Sequence, residues 1–574
     1  MKAKVCDIMT DEDRMKITSN DYADLLVEYG INKEELSRFQ SDPMIIIDDK
    51  YAVIYFPASM IPIRIAFGVK YSMIPKLFGL LDSTSLEAMG VIRVQNTPNL
   101  SLRGQGVLLG FVDTGIEYTN PLFKNADNTT RIVSIWDQTI ENMQASEDIF
   151  YYGTEYKRDV INQALQNEDP LSIVPSTDEI GHGTTLAGLA GGTRNEDSDF
   201  VGVAPLAEYA IVKLKPAKPY LKDYFSVPQD TICYQENDIM FGIQYLVKVA
   251  RQLERPIAIC IGLGTNQGSH DGRGILSDMV SVLSNEAGHA LVVAAGNEGN
   301  RAHHYFGEID KTQGYDIVDL KIGEHEIGFT MELWGNIPGV YSIDILSPTG
   351  EYIPRIPARL NETRVIQFLF ENTTILVDYV LVETQSGDQL ILIRFKNPAP
   401  GIWRFKVYGG AITSGFHIWL PMRGFITEDT VFLRPNPDTI ITIPGNTAFA
   451  LTVTAYDHKN QSIYRNASRG YSRTNIIKPE LAAPGVDVYS PIPGNQFGVQ
   501  TGTSIAAGNT TGVAALLLEW GIVKGNNRTM DTIQVKKYLI RGVSRNVNIV
   551  YPNKEWGYGT LNLYGTFVSL QGES

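Results

Sequence analysis

Apolar residues are grouped along this chain in two different ways. GVLLGFVDTG (106–115), YAIVKLK (209–215), IAICIGLG (257–264) and ALVVAAGN (290–297) are short, nearly continuous apolar runs ending in turn residues. Such runs suit strands buried on both faces of a parallel sheet. Between them, ENDIMFGIQYLVKVARQL (236–253) places Ile239, Ile243, Leu246 and Val247 on one face at helical spacing. Strand–helix alternation predicts a doubly wound α/β domain: a parallel sheet flanked by helices.

From about 305 to 440 the pattern changes to period 2. Phe329, Met331 and Leu333 fall at alternate positions, as do Ile391, Ile393 and Phe395, then Trp403, Phe405 and Val407. With SPTG and NPAPG as punctuation, this predicts an antiparallel β module. The buried-strand pattern resumes at AFALTVTAY (448–456), so the module reads as an insertion.

The first 95 residues alternate strand and helix signals. AVIYFPA (52–58) reads as a strand, YSMIPKLFGLLDS (71–83) as a helix, and SLEAMGVIRVQ (85–95) ends in the extended run VIRVQ. NTPNLSLRGQG (96–106) has linker composition. The expected domains are 1–95, 96–304, 305–440 and 441–574, the second and fourth forming one α/β unit.

Composition adds exclusions. The chain has 574 residues, 43 % hydrophobic and 20 % charged, with a formal net charge of -15. That balance suits a large globular core and argues against a nucleic-acid partner, which needs a basic surface. Cys6, Cys233 and Cys260 show no metal-ligand spacing, and no disulfide framework, metal site or cofactor is expected. MKAKVCDIMTDEDRMK lacks the apolar segment of a secretory signal, and no stretch reaches 18 apolar residues. Cytoplasmic synthesis without a membrane span is the expectation.

Four polar residues stand out by context. Asp113 ends an apolar strand and precedes Thr-Gly; it is either a turn cap or a group at the carboxyl edge of a parallel sheet, where open α/β sheets place ligands. His182, in DEIGHGTTLAGLAGG, lies between two glycines at the start of a small-residue helix. A helix N-terminus disfavours the imidazolium, so a neutral base is expected there. Asn297, in VVAAGNEGN, is a turn residue or an amide donor for a developing oxyanion. Ser504, in TGTSIAAG, is an N-cap or a nucleophile presented at a helix start. Each reading is modest alone.

In chain order the segments are VDTG, GHGTTLAG, AAGNEG and GTSIAAG. Together they resemble the subtilisin-like serine proteases, the subtilases, whose triad runs Asp, His, Ser. The resemblance implies that Ser504 is the nucleophile, His182 the general base and then acid, and Asp113 the group that orients His182. Asn297 and the Ser504 backbone N–H would be the oxyanion donors. It also implies that Gly262, Leu263 and Gly264 bind substrate as an added strand. The family pattern there is Ser-Leu-Gly-Gly, so Gly262 is a departure. ELAAPGVDV (480–488), with Pro484 and Gly485, matches the stretch before the Ser segment. No acidic loop is specific enough to assign a Ca²⁺ site.

Residues 1–95 are similar to a subtilase prodomain. By that resemblance VIRVQ would lie in the cleft as product, with autocatalytic cleavage at Gln95–Asn96 and the prodomain as a bound inhibitor. The prodomain, the jelly-roll-like insertion and the missing signal peptide together resemble the clostridial Csp germination proteases. That resemblance implies spore association and a cortex-lytic pro-hydrolase as protein substrate. The alternatives are a non-enzymatic signalling subtilase or germinant sensor, or another bacterial subtilase. A nucleotide-binding reading of GLGTNQG (262–268) fails because the run is not G-x-G-x-x-G.

Overall fold

In the computed structural model, residues 22–28, 44–46, 51–57, 84–141, 152–217, 219–359, 363–383, 385–410 and 415–571 are described. The chain divides into two compact units, Met1–Leu80 and Leu81–Ser574. In the first, Tyr22–Glu28, Tyr51–Pro57 and Met44–Ile46 form an antiparallel sheet with Tyr51–Pro57 in the middle. The strand expected at AVIYFPA is therefore present. The helix expected at 71–83 lies outside the described residues.

The second unit is built on a nine-stranded sheet. Its order from one edge is Ser462–Ile463, Leu451–Asp457, His289–Ala294, Ile257–Ile261, Leu108–Asp113, Glu208–Lys213, Ile132–Asp137 and Thr154–Lys157, with Leu481–Pro484 also paired to Leu451–Asp457. It is parallel except where Thr154–Lys157 and Ser462–Ile463 pair at its edges. The four predicted apolar runs supply four central strands. All six residues of Leu108–Asp113 are buried, as are all five of Ile257–Ile261. Ile243, Leu246 and Val247 of the Glu236–Gln252 helix are buried against one face. Leu108–Asp113 lies between Glu208–Lys213 and Ile257–Ile261. The chain order reverses there, where such sheets open a crevice at the carboxyl ends of their strands.

The insertion is a pair of antiparallel sheets. One runs His304–Glu308, Gly415–Trp419, Gly328–Gly335, Gln389–Lys396, Thr374–Val380, Thr363–Gln367; the other runs Tyr352–Ile356, Ser342–Leu346, Gly401–Tyr408, Tyr315–Ile322, Val431–Phe432. The three predicted alternating triplets all enter the shared core. Gly328–Gly335 is nevertheless buried at every residue. Its second face carries Glu332 and Trp334 and docks on the α/β part. Glu332 Oε2 accepts from Gly268 N (2.8 Å), and Trp419 stacks on His270 at 4.2 Å. Arg473, on the α/β side, donates to Ser269 O (2.6 Å) and Asn336 Oδ1 (2.7 Å) and pairs with Asp388 (2.6 Å). Breaking one partner of such a buried pair costs about 3–5 kcal/mol, so the docking is firm.

The first 95 residues do not form one unit, and VIRVQ is not a strand. Thr84–Ala88 and Val91–Asn96 are helices of the larger unit. Val91 and Val94, three apart on one helical face, enter the main core. Leu563 N donates to Met89 O (2.8 Å), and Arg93 lies over the Tyr564 ring, which fixes this segment on the C-terminal helix Leu563–Leu570. Burial of that face outweighs the strand preference of two valines and an isoleucine.

Candidate active site

Asp113 is the last residue of the central strand, at its carboxyl end. Its Oδ1 accepts from Thr114 N (2.8 Å) and from His182 Nδ1 (2.7 Å). The Asp113 side chain is 3 % exposed and that of His182 31 %. One imidazole edge is therefore held inside while the ring still reaches the surface. A carboxylate can only accept, so Nδ1 carries the hydrogen and Nε2 of the neutral ring is left as an acceptor. Burial works against the charged ring. The charge and hydrogen bond of Asp113, with Asp178 adding, outweigh it and raise the His182 pKa above 6.5.

His182 opens the helix His182–Gly191, preceded by Gly181 at φ 88°. Asp178 anchors this start. Its Oδ1 accepts from Gly181 N (2.7 Å), and its Oδ2 accepts from Thr184 N and Thr184 Oγ1 (both 2.8 Å). These bonds satisfy N–H groups that a first turn leaves without helical partners. Gly183 N donates to Thr114 Oγ1 (2.9 Å), and a β-carbon on Gly183 would overlap the Gly115 carbonyl. The glycine lets the helix start sit directly on the turn after Asp113.

Ser504 is the second residue of the helix Thr503–Leu518, buried along its length apart from Ser504 itself. Gly502 N donates to Gly485 O (2.8 Å). Thr503 N and Oγ1 donate to Asn297 Oδ1 (3.1 and 3.2 Å), and Thr503 Oγ1 accepts from Gly296 N (3.1 Å). Because a backbone N–H must meet an oxygen, the Asn297 amide has one orientation, with Nδ2 directed away from Thr503 N. A methyl built on Gly502 would stand 3.4 Å from Ser504 Oγ and 3.8 Å from Asn297 Nδ2. The hydroxyl and the amide thus border one small space.

The His182 and Ser504 helices lie side by side in register. A β-carbon on Gly508 would sit 3.3 Å from Leu186 O, and one on Gly512 would sit 2.5 Å from Ala190 O. Gly508 and Leu186 are each one turn beyond Ser504 and His182; Gly512 and Ala190 are two turns beyond. Parallel helices matched at both steps bring their first turns together.

Gly262, Leu263 and Gly264 follow the Ile257–Ile261 strand and are partly exposed. A β-carbon on Gly262 would lie 3.1 Å from His182 Cε1, 3.3 Å from Asp113 Oδ2 and 2.7 Å from Leu186 Cδ1. This backbone runs against the His–Asp pair, and Leu186 occupies the room a serine would need. Thr265 exchanges backbone hydrogen bonds with Ile443 (3.1 and 2.9 Å).

Asp113, His182, Gly262, Asn297 and Ser504 therefore converge at one sheet edge. Gln95 and Asn96 do not join them. They end the helix described above, with Gln95 Nε2 donating to Val203 O (2.9 Å). An extended product strand ending at Gln95 is incompatible with that helix. The sequence reading missed Asp178, Thr503 and Glu298. Asp178 had a legible signal, an acidic side chain just before a helix start. Thr503 and Glu298 act through long-range contacts that no local pattern carries.

Among the described residues, no cluster of three or more His, Cys, Asp or Glu side chains could hold a metal ion, and no helix is long and apolar enough to cross a membrane. Cys233 and Cys260 are buried free thiols, and burial raises the pKa of both, that of Cys260 to about 12.

A parallel sheet with an Asp–His pair, a helix-borne serine and an asparagine amide at its carboxyl edge is the arrangement of a serine endopeptidase. The Subtilase family model matches residues 104–317 and 432–559, more than half of the chain, and the chain belongs to that family. Most of the β module lies in the gap between the two matched segments. Among solved structures, the CspB protease of Clostridium perfringens matches with a TM-score of 0.76 and 32 % identity, covering 85 % of this chain and 98 % of that one. The M-protease of Shouchella clausii is 31 % identical over 126 residues, 22 % of this chain and 27 % of that protein. The C5a peptidase of Streptococcus pyogenes is 34 % identical over 109 residues, 18 % of this chain and 9 % of that protein. The last two matches span only a minor part of those relatives.

Proposed function

We propose that the chain cleaves protein substrates through an acyl-enzyme on Ser504. His182 Nε2 takes the hydroxyl proton and returns it to the leaving amine. Asp113 keeps the imidazole in the required tautomer and stabilises the imidazolium. Asn297 Nδ2 and the Ser504 N–H receive the oxyanion. Gly262–Gly264 hold the substrate backbone as an added strand. The observation that carries this reading is the 2.7 Å His182–Asp113 bond beside a serine whose helix is in register with that of His182. Labelling with a fluorophosphonate tests it: mass mapping should find the adduct on Ser504. A processed protein that never labels would favour the non-enzymatic signalling reading.

Two finer points belong to the same proposal. Likeness to the CspB protease supports a germination role in which the substrate is a cortex-lytic pro-hydrolase. Incubation with candidate pro-hydrolases, followed by mass mapping and with Ser504→Ala as control, tests this. The first unit would be released from the second by self-cleavage and stay as an inhibitor. The bond would lie before Thr84, since the helices from Thr84 on belong to the larger unit. N-terminal sequencing of wild type against Ser504→Ala should give a cut chain and an uncut one. A wild-type start at Asn96 would refute the upstream position.

A further inference from the structure

The residue after the proposed oxyanion donor is a buried carboxylate with nothing to do in the triad. Glu298 has a side chain only 2 % exposed. Its Oε2 meets His303 Nδ1 at 2.9 Å and accepts from Asn266 Nδ2 at 3.4 Å; its Oε1 accepts from Arg423 N at 3.1 Å. Its own N–H donates to Ser468 Oγ (3.1 Å). The neighbouring backbone is tied on the same side, with Ser468 N donating to Gly296 O (2.9 Å) and Gly299 N to Asn466 O (3.0 Å).

These partners come from three places. Asn266 continues the Gly262–Gly264 segment. His303 directly precedes the first module strand, His304–Glu308, and its carbonyl accepts from Leu420 N (2.9 Å). Arg423 follows the module strand Gly415–Trp419. One carboxylate thus joins the Asn297 loop, the substrate-side segment and the module. A charge buried this deeply is tolerated only when its acceptor sites are filled, so its three donors fix where the 296–299 backbone runs.

We infer that Glu298 is a positioning residue for the oxyanion site: it holds the Asn297 amide in place and links that placement to the docked module. The inference rests on the reading of Asn297 as the oxyanion donor. Rate depends on donors already aimed at the developing charge, and a displacement of about 1 Å costs up to about 10²-fold. Glu298→Gln keeps the shape but removes the charge and turns an amide N–H₂ toward one of the donors.

The test uses the full-length chain and a fluorogenic peptide, with kcat normalised to sites titrated by a fluorophosphonate so that unfolded protein does not enter. Glu298→Gln should lower kcat about tenfold with KM within about twofold, a fraction of the full misplacement penalty. Asn297→Ala should lower kcat further, and the double variant should be no slower than Asn297→Ala alone. Unchanged kcat with only a lower Tm would overturn the inference, as would a full tenfold loss persisting in the Asn297→Ala background. Unchanged kcat in Asn297→Ala would instead refute the donor reading itself, and the inference with it. If Glu298→Gln does not fold, His303→Phe removes one donor and should show the same kcat loss and the same non-additivity.

Discussion

The α/β part and the β module keep their cores by opposite means. In the α/β part, the two helices that carry His182 and Ser504 meet through glycines and alanines, and main chain lies against main chain at Gly183, Gly508 and Gly512. In the module, large rings fill the space between sheets: Trp403 meets Phe368 and Phe395 edge-on at 5.1 and 5.7 Å, and Phe329 stacks on Phe395 at 4.6 Å. Backbone contact fixes position closely but has no slack, because an added methyl has nowhere to go. Ring packing holds more apolar area per residue and can relax around a loss. One region is built for placement and the other for cohesion.

That contrast can be broken at several points. Ser504→Ala should have the largest effect on rate and almost none on stability, since the hydroxyl takes no part in the helix packing. The loss in kcat should approach about 10⁶, the size found when a subtilisin nucleophile is removed; turnover of a fluorogenic peptide at a known protein concentration and a thermal melt check both halves of the statement. Trp403→Ala should do the reverse. It should cost about 3–5 kcal/mol of stability while kcat per titrated site stays at the wild-type value, and a drop in kcat would mean that the module core tunes the site directly. Gly183→Ala adds a single methyl against the Gly115 carbonyl, and kcat/KM should fall by about 10²-fold as His182 is displaced from Asp113. A wild-type rate there would show that the backbone contact has slack after all.

The smallest effect is on pH dependence. His182 must be neutral to act as base, and Asp113 raises its pKa. Proton binding at His182 therefore stabilises the fold below pH 6.5, and that gain is lost as pH rises through the raised value. Activity moves the other way: kcat/KM should climb with pH and reach half-maximum above 6.5. Asp113→Asn removes the charge, and the midpoint of its residual activity should shift to lower pH.

Asp113, His182, Asn297 and Ser504 were legible as candidates because each sits in a short segment whose small residues and turns are local. The central strands were legible because burial on both faces leaves a continuous apolar run. VIRVQ was misread because β-branched residues favour strands locally; the 91/94 spacing matters only once the C-terminal helix offers a surface for it. Glu332 and Trp334 occupy positions where period 2 predicts solvent. They are buried because the module docks, a fact written in Gly268 and Arg473, far from them in the chain. Glu298 was unreadable for the same reason: its partners are Asn266, His303 and Arg423.

Ser504 is the one half-buried position on an otherwise buried helix, and its presentation depends on Gly502, Thr503 and the glycines beneath. Everything that shapes the cleft therefore survives the loss of one oxygen atom. A lineage carrying this fold stands one substitution away from a protein that would grip a peptide without cutting it, and nothing in its folding would register the difference. Whether such a chain cuts or only holds is decided by selection on chemistry alone.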